Sequence, residues 1–133
     1  MPRENVETLR RYFHRLNETG EPPADLVHPD LEIHMFKGSP IRGPYRGHEG
    51  LRRWRDDTFD VIQDWRLELE NVIEGDDPDV LVTAQRFVGR TRHTDLPVDF
   101  PLAVVVRFRD GLIFRLVGYR KRAEALEAVG LRE

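Results

Sequence analysis

The chain has 133 residues, 39% of them hydrophobic and 34% charged, and a formal net charge of -3, which suits one domain over residues 1–133 and gives no reason to expect nucleic acid despite the basic cluster Arg52, Arg53 and Arg55. With no cysteine, disulfides, thiolate catalysis and cysteine-held zinc are excluded. No apolar run approaches the roughly 20 residues of a membrane span, and MPRENVETLRRY lacks the apolar stretch of a signal peptide, so no membrane is expected as a partner and a cytoplasmic protein is.

Val6, Leu9, Phe13 and Leu16 recur at spacings of three, four and three, the signature of one helix face. Pro2 suits the first turn of that helix and Gly20 its end. EPPADLVHPD has room for one or two helical turns, DLEIHMF reads as a short strand, and KGSPIRGPYRG reads as a turn-rich loop. A second helix fits HEGLRRWRDDTFDVI, with Leu51, Trp54, Thr58 and Ile62 on one stripe.

From Gln63 the period becomes two. Trp65, Leu67 and Leu69 alternate with Arg66, Glu68 and Glu70, as in a strand with one solvated face. GDDPD turns the chain into a second long strand, VLVTAQRFVGRTR, and HTDLP leads to a third, FPLAVVVRFR. In the third, Leu102, Val104, Val106 and Phe108 share the apolar phase and Arg107 and Arg109 the other. Asp110-Gly111 is a two-residue hairpin signal leading into LIFRLVGYRK, and a short helix, AEALEAV, stops at Gly130. Helices first and an antiparallel meander after them give an α+β class, with the helices on the concave face of a curved sheet.

Motifs that carry chemistry by themselves are scarce. The five histidines show no metal-ligand spacing, the glycines of RGPYRGHEG do not form GxGxxG, and no metal or cofactor is expected. Glu68 and Glu70 alternate with the buried phase and belong to the outer face.

RRYFHRLN on the first helix, HPDLEIH on the first strand, PYRGHEGLRRW before the second helix, the hairpin VVVRFRDGLIFRLVGYR and the terminal RAEALEAVGL together resemble the SnoaL-like branch of the nuclear transport factor 2-like superfamily. That group includes ketosteroid isomerases, SnoaL-type polyketide cyclases and limonene epoxide hydrolases. The resemblance spans about Val6 to Leu131. It implies a cone-shaped barrel with a deep, mostly apolar pocket, and commonly a homodimer through the outer sheet face, here the face of Arg66, Glu68, Glu70, Arg107 and Arg115.

Ketosteroid isomerases carry a base on the first strand, a tyrosine on the first helix and a protonated aspartic acid on a late strand; that enzyme is a known case of pKa tuning. Laid on this chain, the base falls on Met35 and the acid on Val104, neither of which can move a proton, while the tyrosine is retained as Tyr12. Steroid isomerisation is therefore not expected. With Met35 turned inward, alternation turns His34 outward beside Glu32 and brings Ile33 in; a bulge would reverse this and make His34 a base in the pocket.

Tyr12 and His34 are thus the candidate catalytic groups, and Ile33, Met35, Trp54, Trp65, Leu102, Val104, Val106 and Arg120 the candidate ligand-binding ones. Arg120 falls near a position that lines the isomerase pocket, though RKR also reads as a charged strand end. Asp99 and Arg86 are the nearest material for an epoxide-hydrolase arrangement, but Asp99 is out of phase with Phe100 and Leu102. Two readings stay open: a polyketide cyclase-, isomerase- or hydrolase-type enzyme working on a small, mostly apolar ring compound, or a non-catalytic ligand-binding or dimerisation module.

Overall fold

A computed structural model describes residues 2–131, with the side chain of Pro2 excepted; Met1, Arg132 and Glu133 of the expected domain lie outside the described residues. The elements in chain order are α1 (Pro2–Thr19), a 3-10 turn (Ala24–Leu26), β1 (Val27–His34), β2 (Tyr45–Arg46), α2 (Gly47–Val61), β3 (Ile62–Glu74), β4 (Val80–Thr91), β5 (Pro97–Arg109), β6 (Leu112–Tyr119) and α3 (Arg122–Ala128). The class is α+β, as the sequence implies.

The six strands form one sheet in the order β2-β1-β6-β5-β4-β3. Two features depart from a closed antiparallel barrel. The sheet is open, with β2 and β3 as its edges, and β1 runs parallel to β6 because the first strand returns beside the last. The expected loop before α2 also contains β2, whose Tyr45 and Arg46 pair with Ile33 and Glu32. At the other end of α2, Ile62 leaves the helix stripe and becomes the first residue of β3.

Apolar periodicity decides which face each element buries. Leu9, Phe13 and Leu16 of α1 and Leu51 and Trp54 of α2 pack with Leu31, Ile33, Leu67, Leu81, Val104, Val106 and Phe108 from the inner sheet face. Asn17 fastens α1 to the exposed edge of β3. Its Nδ2 donates to the Leu67 carbonyl at 2.7 Å, and its Oδ1 accepts from the Leu67 N–H at 3.0 Å. One amide thus satisfies a strand-edge donor and acceptor together.

A second cluster lies on the outer face. Ala125 and Leu126 of α3 cover Val82, Ala103 and Val105, so the third helix packs opposite the first two. The concave placement expected from the sequence therefore holds for α1 and α2 only. The reason lies in β5, where Ala103 to Val106 are all buried: both phases are apolar and each face needs a cover.

Two turns fix the register. Asp110 and Gly111 have φ of 55° and 76°, the left-handed pair that a two-residue hairpin requires. On β3, Asp64 has φ of 55° and the pairing with β4 shifts between Gln63 and Arg66, a bulge that bends the strand. Gly89 lies against that bend. A Cβ on it would fall 2.6 Å from Ile62 Cγ2 and 3.0 Å from Trp65 Cα.

Candidate ligand cavity

Strand alternation and the two inner helices enclose a cavity of about 320 Å³, within the usual size range of small-molecule sites, about 300–1,000 Å³. Its floor is built from fully buried groups: Leu9 of α1, Val106 of β5 and Ile113 of β6. Trp54 and Thr58 of α2 and Tyr12 of α1 form the helical side. Phe36, Phe87 and Phe100 supply an aromatic wall, with Phe87 stacked on Phe100 at 5.5 Å and Phe36 edge-on to Phe100 at 5.9 Å.

The sequence-predicted residues divide into two groups. Tyr12, Ile33, Met35, Trp54, Leu102, Val104, Val106 and Arg120 are brought together around this one space. Val104 stands between Thr83 on β4 and Gly118 on β6, and Met35 just beyond β1. Trp65 is not among the lining residues. Its ring is buried behind the wall, stacked on Phe87 at 5.9 Å and edge-on to Trp54 at 5.4 Å, so it supports the site without touching the space.

His34 is the second departure. The pairs Glu32–Arg115 and His34–Val117 lie in the phase opposite to Ile33–Leu116, and the His34 imidazole is hydrogen-bonded to Glu32 Oε1 at 2.9 Å. No bulge intervenes between Glu32 and His34; the irregularity in β1 lies earlier, between Val27 and Glu32. His34 is thus among the residues bordering the cavity, but strand phase and the bond to Glu32 place its imidazole with the outer face. There the His34 hydrogen bond, helped by Arg46 and Arg115, holds the Glu32 carboxyl below the usual carboxylate range.

Tyr12 is buried, and burial raises its phenol well above its ordinary value, so the group is a neutral O–H donor. Among the described residues nothing accepts that proton. Arg120 is exposed, with its guanidinium 5.6 Å from the Phe36 ring, and places one positive charge at the entrance. Asp99 and Arg86 meet each other at 3.1 Å on the outer face, away from the cavity.

Sequence reasoning missed two buried polar groups on the inner face of the sheet. In β4 the inward phase is Leu81, Thr83, Gln85 and Phe87. Thr83 is fully buried, and Gln85, 4% exposed, lines the cavity. The signal was present in VLVTAQRFV, whose Leu81 and Phe87 fix the phase on which Thr83 and Gln85 fall. Thr58 also lines the space, but its hydroxyl donates to the Trp54 carbonyl at 2.7 Å and is already used. Among the described residues, no group of three or more His, Cys, Asp or Glu is placed to hold a metal ion, and no helix is long and apolar enough to cross a membrane.

Solved structures share this architecture. Bal32a, from a soil-derived mobile gene cassette, superposes with a TM-score of 0.76 at 19% identity, over 87% of this chain and 88% of its own. TerC, co-crystallized with polyporic acid, gives 0.75 at 18% identity over 93% and 96%. A protein of Jannaschia sp. CCS1, provisionally named a SnoaL-like polyketide cyclase, gives 0.69 at 19% identity over 86% and 83%. At such identities the likeness is one of fold, that of the nuclear transport factor 2-like and ketosteroid isomerase-like proteins. No curated protein sequence matches the chain. The model of the SnoaL-like domain matches residues 7–116, and the chain belongs to that family.

Proposed function

We propose that the cavity binds a flat, largely apolar molecule containing a ring system, and that the chain is a ligand-binding member of its family that lacks a proton-transfer pair. The observation that carries this reading is the lining itself. Among the described residues it includes no carboxylate and no inward imidazole, and Met35 and Val104 stand where the isomerase resemblance puts a base and an acid. Aliphatic and aromatic side chains supply the surface for a ring, and Tyr12 supplies an orienting donor. The co-crystallization of TerC with polyporic acid supports a ring-bearing ligand of similar kind.

Thermal-shift screening of aromatic polyketides, terpenoids and steroids, followed by calorimetry, tests it. Leu102→Trp, which fills the space from β5, is expected to abolish binding of every hit while the circular dichroism spectrum stays unchanged. Hits that bind Leu102→Trp as tightly as the parent protein would place the ligand elsewhere.

A second reading, catalysis of the cyclase or isomerase type, draws on the unpartnered Tyr12 hydroxyl, which could stabilise negative charge developing on a ligand carbonyl oxygen. Its signature is deuterium entering the carbon beside a bound ketone faster with protein than without. Either reading is proposed for a cytoplasmic homodimer joined through the outer faces of β3 to β6.

A further inference from the structure

We infer that Gln85 is the specificity-determining residue of the cavity and that its ligand is a neutral ring ketone bearing a phenolic or enolic hydroxyl. This deepens the proposed binding function and rests on it. The argument begins with Thr83. Its hydroxyl lies 3.2 Å from the Val104 carbonyl oxygen, which can only accept, so Thr83 spends its one proton there. The same oxygen lies 2.7 Å from the Gln85 amide nitrogen, and having no proton left it can only accept. The Gln85 amide is thereby locked in one orientation. Its N–H is turned toward Thr83, and its carbonyl Oε1 has no donor among the described residues.

Gln85 is 4% exposed and sits in the cavity wall opposite Leu102 of β5. Once a ligand fills the cavity and excludes water, an amide carbonyl left in its wall without a partner is costly, so the group that fills the space is selected for a donor. A second amide N–H is also left over. A hydroxyl answers both, giving its proton to Oε1 and accepting from that N–H; an ether or a halogen cannot do the first. Tyr12 states the complementary requirement. Its phenol is neutral and has no acceptor among the described residues, so it selects a ligand oxygen that accepts, a ketone carbonyl. Thr83 is a positioning residue, touching no ligand and acting through the orientation of Gln85.

Matched probes separate these roles. A hydroxytetralone and a hydroxyflavone, each against its methyl ether, are titrated by calorimetry into the full chain below the pH at which the phenols ionise. The parent protein is expected to prefer each hydroxyl form over its ether by roughly three- to tenfold, the ratio one net hydrogen bond gives. Gln85→Leu should remove the preference, bringing the hydroxyl-to-ether affinity ratio to about one, and Gln85→Met serves as the second apolar variant should Leu perturb folding. Thr83→Val should weaken the preference by freeing the amide to turn, and Thr83→Ser, which restores the relay, should recover it. Equal binding of hydroxyl and ether forms by the parent protein would overturn the assignment of Gln85 and leave the cavity's binding role standing. Failure of both probe pairs to bind would overturn the binding role together with this inference.

Discussion

Tyr12 lines the cavity and its hydroxyl has no acceptor among the described residues, so Tyr12→Phe is expected to leave thermal stability nearly unchanged. Ligand affinity should fall by up to about tenfold, since a neutral hydrogen bond contributes about 0.5–1.5 kcal/mol net; calorimetry on the two proteins checks both statements. Met35→Asp should weaken binding more, because a carboxylate in an apolar wall must be desolvated whenever a ring occupies the space. Glu32 governs a different property. Its folded-state pKa is depressed, chiefly by the His34 hydrogen bond, so it stabilises the fold above its unfolded value of about 4.3 and loses that contribution as pH falls through the lower folded value. Parent and Glu32→Gln melting temperatures should therefore differ at neutral pH and converge in strong acid. A gap that persists unchanged below pH ~3 would show that the His34–Glu32 pair is not its source.

At the scale of elements, the two glycines that shape the sheet should respond unequally to alanine. Gly111 sits in open space, so Gly111→Ala costs only the left-handed backbone conformation, about 1 kcal/mol. Gly89→Ala drives a methyl against the β3 backbone at Trp65 as well as the Ile62 side chain. That is overpacking, worth about 1–3 kcal/mol, and it lies where β3 bends behind the aromatic wall. Urea unfolding of both variants should rank Gly89→Ala as the less stable, and its cavity should bind ligand more weakly because Trp65 and Phe87 shift together. The α3 patch makes a separable unit: Leu126→Ala removes apolar contact from the outer face and should lower stability by about 2–4 kcal/mol without changing ligand affinity.

For the whole molecule, the outer face sets the expected assembly. Arg66 and Glu68 lie 2.8 Å apart, Arg86 bridges Asp99 at 3.1 Å, and Arg115 lies 4.0 Å from Glu32. Such exposed or half-buried pairs add little to the stability of one copy, but their alternating signs let a second copy pair across a two-fold axis. Sedimentation is expected to show a dimer at micromolar concentration, with Glu68→Arg shifting it toward monomer. A monomer throughout that range would remove the homodimer from the proposal. The α3 helix limits the available area, because it already covers the apolar centre at Val82, Ala103 and Val105.

Apolar period and turn chemistry are local, and so the sequence by itself determined the α1 and α2 stripes, the phase of Leu102, Val104, Val106 and Phe108, the Asp110-Gly111 hairpin, and the outward turn of His34 once Met35 was inward. Residues meeting across strands depend on register, which no single strand encodes. Tertiary structure therefore decided that the sheet stays open, that β1 lies parallel beside β6, that α3 takes the outer face, and that Trp65 stands behind Phe87 instead of in the cavity. It also decided the hydrogen-bonding of Gln85. In the sequence that residue is one polar side chain among several; only the pairing of Thr83 with Val104 consumes the Thr83 proton and turns the Gln85 carbonyl into an unanswered acceptor.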